Sequence, residues 1–290
     1  MNRVWPPDEA RSYTRWLATH HYENFHVVSL LLPKRLHQDF YNVYSFCRWA
    51  DDLGDEIGDT AESLRLLAWW RSELQAMCTG GAKHPVLVAL AGTVREFSLP
   101  VTLFDDLIKA FEQDQTVTRY RNFEELFEYC RHSANPVGRL VLGLCGYRDA
   151  ERQALSDATC TALQLANFWQ DVTVDLEKDR VYLPLDLLET HGYPLEALFA
   201  RQFDKRFRAA MQEAVNVTRG LFLRGLPLAD SVDRRLAIDL ELFSRGGLRV
   251  LEKIERQNYD VLGSRPAISK LERVGLLLGA LTRRTFSRAA

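Results

Sequence analysis

Residues 35–56, RLHQDFYNVYSFCRWADDLGDE, place apolar side chains three and four positions apart, which is the period of an amphipathic helix. The same spacing recurs in residues 61–78, 86–97, 101–114, 123–145, 150–177, 202–225 and 231–257. Sustained alternation of apolar and polar residues with β-branched enrichment, the pattern of a strand, does not occur. The sequence therefore predicts an all-α protein.

Prolines mark where these helices are expected to end. They stand at the edges of the helical runs, at Pro33, Pro85, Pro100, Pro184, Pro194, Pro227 and Pro266. Pro136 instead falls inside the run 123–145, so we expect the helix to break or kink there. That break is either a simple loop or a broken helix that lines a cavity with freed carbonyls. Without repeats or low-complexity linkers, the pattern favours one domain over residues 1–290.

The composition narrows the class of protein. The 290 residues are 47% hydrophobic and 26% charged, which is typical of a globular protein with a large core. Lys and Arg number 37 against 39 Asp and Glu, and this balance of −2 argues against a nucleic-acid partner. The five cysteines are widely spaced without a CxxC pair. We therefore expect neither a disulfide framework nor a zinc site, and a reducing compartment fits best.

The sequence shows few features that are typical of membrane proteins. The N-terminal residues show no basic stretch followed by an apolar core, so no signal peptide is expected. No apolar run approaches the roughly 20 residues that span a bilayer. These features favour a cytoplasmic location. Residues 276–288 combine leucines with arginines and one phenylalanine. The simpler interpretation is a terminal helix that closes the bundle, and peripheral contact with the inner face of the membrane is the alternative.

The first motif that suggests chemistry is Arg48-Trp49-Ala50-Asp51-Asp52-Leu53-Gly54-Asp55-Glu56. Asp51 and Asp55 are four residues apart, so they share one face of the predicted helix. Arg48 precedes Asp51 and Asp52 by about one turn, and Tyr44 lies one turn earlier still. The spacing therefore predicts a carboxylate pair with an arginine and a tyrosine beside it.

A second acidic motif lies in residues 164–175, QLANFWQDVTVD. Gln164, Asn167, Asp171 and Asp175 fall at i, i+3, i+7 and i+11, which is one continuous helical stripe. Acidic helix faces are ordinarily just solvated. Here the stripe mixes amides with carboxylates, and both motifs are flanked by aromatic residues, so we expect the acids to point into the protein.

Clustered carboxylate and amide oxygens are suited to a hard cation, of which Mg²⁺ is the usual one. Two acidic helices that face each other across a helical bundle would clamp a diphosphate through Mg²⁺. Candidate cations for the diphosphate are Arg48, Lys178, Arg180 and Arg265. The pattern therefore predicts a prenyl diphosphate substrate, whose ionisation leaves a carbocation that aromatic faces stabilise.

At these residues the sequence resembles the squalene/phytoene synthase family, from about residue 21 to residue 270. The shared features are Tyr44-Ser45-Phe46-Cys47-Arg48 before the first aspartates, and Ala162-Leu163-Gln164-Leu165-Ala166-Asn167 before Asp171-Val172 and Asp175. The second motif is followed by Arg180-Val181-Tyr182-Leu183-Pro184. This resemblance implies a single-domain isoprenoid-synthase helical bundle with a central apolar cavity and a requirement for Mg²⁺.

The resemblance also implies roles for particular residues. Those expected to hold Mg²⁺ and diphosphate are Asp51, Asp55, Asn167, Asp171 and Asp175. Gln164 would face the cationic intermediate, and Tyr129 would line the cavity. Candidate substrate-binding residues are His21, Asn24, Phe25, Tyr44, Arg48, Asn135, Gln170, Lys178, Arg180 and Arg265. No nicotinamide cofactor is expected, and the protein partners that the resemblance suggests are other enzymes of the same pathway.

Departures from the family pattern bear on the reaction. Gln170 stands where many members have arginine, and Gly246-Gly247 where many have tyrosine. These losses count against condensation of two prenyl diphosphates. The pattern resembles one bacterial subgroup, whose substrate is presqualene diphosphate and whose cation is captured by water. The polar groups proposed to hold that water are Asn24, His132, Asn135, Gln164 and Gln170. The alternatives are a condensing synthase and a non-catalytic assembly factor, although all four motif aspartates are present.

Overall fold

The computed structural model describes residues 5–20 and 33–269, together with residues 272, 275, 276, 279 and 280. The candidate residues His21, Asn24 and Phe25 lie outside the described residues. So does most of the C-terminal stretch that we considered for membrane contact.

Thirteen α-helices make up most of the described chain. They are α1 (Pro7–His20), α2 (His37–Asp55), α3 (Thr60–Cys78), α4 (Pro85–Phe97), α5 (Val101–Gln113), α6 (Phe123–Ser133), α7 (Asn135–Leu144), α8 (Ala150–Gln170), α9 (Val172–Glu177), α10 (Leu185–Thr190), α11 (Leu195–Phe199), α12 (Lys205–Gly225) and α13 (Arg234–Arg256). Short 3₁₀ turns cover Lys34–Leu36 and Leu226–Asp230. The described residues contain no strand, only one isolated bridge between Arg119 and Val181. The all-α prediction is confirmed.

Polar N-caps determine where several helices begin. Asp59 accepts a hydrogen bond from the backbone N–H of Glu62 at 2.8 Å and starts α3. Asn122 does the same for Glu125 at 2.9 Å and starts α6. Asp233 caps α13 in the same way, with its side chain accepting from two backbone amides. These caps satisfy donors that the first turn of a helix leaves free.

The break at Pro136 is confirmed. Helix α6 ends at Ser133 and α7 begins at Asn135, so a single residue separates them. Pro136 lies in the first turn of α7, where its missing N–H costs nothing. The connection is therefore an interruption between two helices rather than an extended loop.

The chain comprises two compact units, one of Met1–Thr116 with Pro136–Gln153 and one of Val117–Asn135 with Ala154–Ala290. The assignment of residues 1–290 to one domain stays a prediction. All five cysteines are free, as expected. Among the helices of the described ranges, none combines the length and the apolar character needed to cross a membrane.

In the first unit, a buried polar network joins α1, α2 and α4. Thr14 Oγ1 donates to Asn42 Oδ1 at 2.6 Å, and Asn42 Nδ2 donates to Thr93 Oγ1 at 2.9 Å. Thr93 Oγ1 in turn donates to Asp39 Oδ1 at 2.7 Å. Because these buried groups find their partners on other helices, the network holds α2 in one register. Helix α2 carries the first acidic motif.

In the second unit, α8, α12 and α13 pack closely. The indole of Trp169 on α8 is fully buried and donates to Thr218 Oγ1 on α12 at 2.7 Å. Gly225 leaves space for Thr159 of α8, and Gly247 of α13 lies directly against the ring of Phe222. Trp169 is therefore a core residue that anchors the helix of the second acidic motif.

Candidate active site

The first acidic motif occupies about the last two turns of α2, and its final residue, Glu56, is the C-cap. Arg48 Nη1 donates to Asp51 Oδ2 at 3.2 Å, and Arg48 Nη2 lies 2.5 Å from Asp52 Oδ1. Glu56 Oε1 is 3.5 Å from the same guanidinium. Asp55 is exposed at the end of the helix. The expectation that all motif acids point into the protein is wrong for Asp55, because the final turn of α2 buries Leu53 and Gly54 and leaves Asp55 on its outer side.

Electrostatic crowding distinguishes this motif from an ordinary solvated helix face. Burial raises the pKa of Asp51 above its ordinary value, and the carboxylates of Asp55, Asp52 and Glu56 add to the rise. Arg48 opposes it as the one cation among these five groups. Four carboxylates around one guanidinium leave an excess of negative charge, which a divalent cation would relieve.

The second acidic motif spans the junction of α8 and α9. Asp171 stands between the two helices, and its backbone continues the hydrogen-bond ladder to Asn167 and to Asp175, each at 2.9 Å. The predicted stripe therefore persists across the junction. Asn167 is exposed and Gln164 is partly exposed. The expectation of an inward-facing stripe is wrong for Asn167, because α8 buries the neighbouring Phe168 and Trp169 instead.

The segment at Arg265 and Pro266 is attached to this motif at two points. Both oxygens of Asp171 accept hydrogen bonds from Arg265, the second from Nη2 at 3.2 Å. The neighbouring Gln170 Nε2 donates to the backbone carbonyl of Pro266 at 2.5 Å. The structure thus brings Gln170, Asp171 and Arg265 together, as residues of one site would be.

Aromatic side chains lie directly behind the second motif. The rings of Phe168 and Tyr182 stack with centroids 3.6 Å apart and planes 6° apart. Tyr129 is buried with its ring centroid 6.2 Å from each of them. The ring of Tyr120 also stacks with that of Tyr182, with centroids 5.8 Å apart. Tyr129, which we predicted to line the cavity, therefore lies in an aromatic cluster. Of the residues in this cluster, only Phe168 and Tyr182 belong to the sequence motifs.

Asp175 and Arg180 face a small cavity of about 10 Å³, which Phe168, Val181 and Tyr182 also line. Its size corresponds to roughly one water molecule. Lys178 is exposed on the turn between Asp175 and Arg180. The structure therefore places Arg180 beside Asp175, while Lys178 lies at the surface.

The remaining candidates are bound into the scaffold. Asn135 is buried, and its Oδ1 accepts from Thr161 Oγ1 at 3.0 Å. Tyr44 is partly exposed on α2, where burial raises the pKa of its hydroxyl and Arg48 lowers it. His132 Nδ1 is 3.9 Å from Glu128 Oε1. Hydrogen bonding within the helices accounts for Asn135, so its predicted contact with substrate stays a prediction.

The donor set fits Mg²⁺ in the way that magnesium sites usually do. Among the described residues, no three His, Cys, Asp or Glu side chains lie close enough together to hold a metal ion by themselves. Mg²⁺ is commonly held by one or two carboxylates, with water and substrate phosphates completing the shell. The pair Asp51 and Asp55 and the pair Asp171 and Asp175 each match that requirement.

Gly247 lies at one of the positions where the sequence departs from the family pattern. A side chain at this position would collide with the ring of Phe222 on α12. At the preceding position, Gly246, the space that a Cβ would occupy is open. Phe222 was not identified from the sequence, since nothing in its local pattern indicates which distant residue it contacts.

Comparison with known proteins identifies the family. The model of the squalene/phytoene synthase family matches residues 18–272. The chain is 34% identical over 259 residues to a phytoene synthase from Thermus thermophilus, covering 89% of this chain and 87% of the relative. It is 32% identical over 275 residues to a hydroxysqualene synthase from Zymomonas mobilis, covering 92% and 90% respectively.

A solved structure supports the same family assignment. The crystal structure of squalene synthase HpnC from Alicyclobacillus acidocaldarius matches with a TM-score of 0.84 at 43% identity, covering 87% of this chain and 95% of that one. The chain belongs to the squalene/phytoene synthase family, whose members are enzymes that process prenyl diphosphates. The resemblance seen in the sequence motifs is confirmed.

Proposed function

We propose that this chain has hydroxysqualene synthase activity and converts presqualene diphosphate and water to hydroxysqualene and diphosphate. This reaction belongs to squalene and hopanoid biosynthesis. The diphosphate leaves, the cyclopropylcarbinyl cation rearranges, and water captures the rearranged cation. The proposal needs no nicotinamide, because no hydride enters the product.

The observation that carries the proposal is the environment of Gly247 and Gln170. The ring of Phe222 occupies the space beside Gly247, where many family members have tyrosine. Gln170 replaces an arginine of many members, and its amide is bonded to the carbonyl of Pro266. Compared with many family members, the chain thus lacks a cation and a tyrosine that would serve a second diphosphate, which favours a substrate that carries only one.

The names of relatives are divided between two reactions. The relatives from Zymomonas mobilis and Rhodopseudomonas palustris are hydroxysqualene synthases, at 32% and 33% identity. The Thermus thermophilus relative is a phytoene synthase at 34%, so condensation of two prenyl diphosphates is the second candidate function. A non-catalytic assembly factor is the third, although the four motif aspartates favour an enzyme.

Individual residues would serve this reaction as follows. Bound Mg²⁺ would stabilise negative charge on the departing diphosphate. Asp51 and Asp55, and likewise Asp171 and Asp175 with Asn167, are the proposed ligands. Arg48 and Arg265 would donate to diphosphate oxygens, since a guanidinium fork matches two of them. The faces of Phe168 and Tyr129 would stabilise the cation.

The test supplies each substrate separately. Purified protein is incubated with Mg²⁺ and either presqualene diphosphate or farnesyl diphosphate, without NADPH, in ¹⁸O-labelled water. Labelled hydroxysqualene from presqualene diphosphate is the expected product, identified by mass spectrometry. Presqualene diphosphate formed from farnesyl diphosphate would instead identify a condensing enzyme. If neither gives a product, the protein is incubated with geranylgeranyl diphosphate as well. A condensation product would then identify a condensing enzyme, and no product would overturn the proposal in favour of the assembly factor.

A further inference from the structure

Helix α13 carries a carboxyl group in an unusual setting. Asp239 is 1% exposed, and neither of its side-chain oxygens has a hydrogen-bond partner. A buried polar group without a partner is costly, and native structures retain few of them. Such a residue therefore requires an explanation beyond packing, since a leucine would fill similar space without that cost.

Other buried acids of the described chain do have partners. Asp39 accepts a hydrogen bond from Thr93 Oγ1 at 2.7 Å. Glu241, two residues from Asp239, accepts one from Arg245 Nε at 2.7 Å. The environment of Asp239 is therefore specific to its position, and it is not a general property of acids on α13.

The position of Asp239 on α13 indicates which residues share its face of the helix. At 100° per residue, Asp239, Phe243, Gly246 and Val250 share one face of α13. Phe243 and Gly246 are partly exposed, and the site of a Gly246 Cβ has open space around it. The face that packs on α12 is the adjacent one, where Gly247 meets a phenylalanine. Asp239 therefore lies on a mostly apolar face of α13 that differs from the one where Gly247 meets the phenylalanine.

The protonation state suits a role in binding a neutral molecule. Burial raises the pKa of Asp239 to about 8, and the carboxylate of Asp233 adds to the rise. A neutral carboxyl group both donates and accepts hydrogen bonds. A water molecule in an apolar setting needs two or more such polar contacts to stay in place.

We propose that Asp239 is the positioning residue for the water that captures the cation, an inference that rests on the proposed function. The carbonyl oxygen of Asp239 accepts a hydrogen bond from this water, which directs an oxygen lone pair toward the cation. The water oxygen forms the C–O bond, and the released diphosphate takes the proton that the resulting oxonium loses. Asp239 itself is unchanged at the end of the reaction.

Two earlier candidates for this role each have one side-chain polar atom in a hydrogen bond with the protein. Asn135 Oδ1 accepts from Thr161, and Gln170 Nε2 donates to the carbonyl of Pro266. Asp239 has both side-chain oxygens available. This difference favours Asp239 over these two amides.

The experiment uses a matched pair of variants in the full-length protein. Asp239→Asn keeps a carbonyl oxygen at the same place, whereas Asp239→Leu keeps the branched shape and replaces both oxygens with methyl groups. Ser244→Ala, another buried polar residue of α13, is the control. Each protein is given presqualene diphosphate and Mg²⁺, and both released diphosphate and the fraction of alcohol among the C30 products are measured. Thermal midpoints are recorded alongside.

We expect Asp239→Leu to release diphosphate at a rate similar to that of the wild type, but with the alcohol fraction reduced about tenfold in favour of alkenes, because misplacing a reacting group has effects of that order. Asp239→Asn and Ser244→Ala should keep the alcohol fraction within about threefold of the wild type. Both Asp239 variants should unfold at higher temperature, since each removes the buried acid.

The two possible failures are distinguishable. A wild-type enzyme that makes no alcohol from presqualene diphosphate overturns the proposed function, and the role of Asp239 with it. A wild type that makes the alcohol, together with an Asp239→Leu variant that makes the same fraction, overturns only the role of Asp239. Equal loss of alcohol in the Asn and Leu variants would also overturn it, because the carbonyl oxygen would then not be the group that matters.

Discussion

The carboxylate of Asp171 receives hydrogen bonds from Arg265 at both of its oxygens. If the same guanidinium also contacts diphosphate, its shape should matter as well as its charge. We predict that Arg265→Gln lowers kcat/KM about 100-fold and Arg265→Lys about tenfold, because lysine keeps the charge and loses the fork. Steady-state kinetics with presqualene diphosphate measures both.

Arg256 provides the matched control for Arg265. It is exposed near Arg265 and lines the same surface cavity of about 320 Å³. Arg256→Gln should change kcat/KM by less than about threefold, since an exposed charge that contacts no substrate contributes little. Similar losses in the Arg256 and Arg265 variants would indicate a general effect of surface charge.

The first acidic motif permits a second comparison between neighbours. Asp55 and Glu56 are both exposed at the end of α2, but only Asp55 shares a helix face with Asp51. Asp55→Asn should raise the Mg²⁺ concentration needed for half-maximal activity by about tenfold or more, because it removes a charged ligand of a divalent ion. Glu56→Gln should leave it nearly unchanged. A magnesium titration of activity distinguishes the two, and equal shifts would contradict the assignment.

At the level of the helix pair α12 and α13, we expect substitutions at two adjacent glycines to have different effects on stability. Gly247→Ala would place a methyl group against the Phe222 ring, whereas Gly246→Ala would place one in open space. We expect Gly247→Ala to lower the free energy of unfolding by about 1–3 kcal/mol through overpacking. Gly246→Ala should leave it unchanged or raise it by up to about 1 kcal/mol, because alanine favours the helix. Urea unfolding measures both, and equal effects would mean that Phe222 moves aside freely.

For the whole molecule, His84 should make stability depend on pH. It lies among aromatic rings, with centroids 4.4 Å from Trp49 and 4.9 Å from Trp70. Burial lowers the pKa of His84 to about 4 from 6.5, although Glu73 opposes the change. Between pH 6.5 and pH 4 the unfolded chain therefore binds a proton that the folded chain does not.

The free energy of unfolding should thus fall as the pH falls through this range, by an amount on the order of 1–3 kcal/mol. His84→Asn keeps a side-chain acceptor at the start of α4 and removes the titration. Urea unfolding of wild type and variant at pH 7 and pH 4.5 measures the difference. A variant with the same pH dependence as the wild type would rule out His84 as its source.

Asp239 should make stability depend on pH in the opposite direction to His84. Burial raises the pKa of this acid to about 8 from 3.8, so the unfolded chain loses its proton first as the pH rises. The contribution of Asp239 to stability should therefore decline between pH 4 and pH 8. Asp239→Asn should stabilise the protein more at pH 8 than at pH 5, which thermal unfolding at the two pH values measures. A gain independent of pH would contradict this protonation change.

Much of the architecture follows from local pattern. The eight predicted helical runs correspond to helices or helix pairs in the structure, and the break at Pro136 occurs within two residues of the proline. Helix α1 was not identified from the sequence. The short helices α10 and α11 were also missed, because five or six residues are too few to show a 3.6-residue period. The spacing also placed Asp51 and Asp55 on one helix face, and the motifs identified the family.

The sequence by itself therefore determined most of the longer helices, the break at Pro136 and the residue types of the candidate site. The tertiary structure alone decided which faces are covered. It showed that Asp55 and Asn167 are exposed, that Arg265 reaches Asp171 from 94 residues away, and that Asp239 is buried without a partner. The physical reason is that a period specifies how side chains are arranged around one helix, whereas burial and hydrogen bonding depend on which distant elements pack against it.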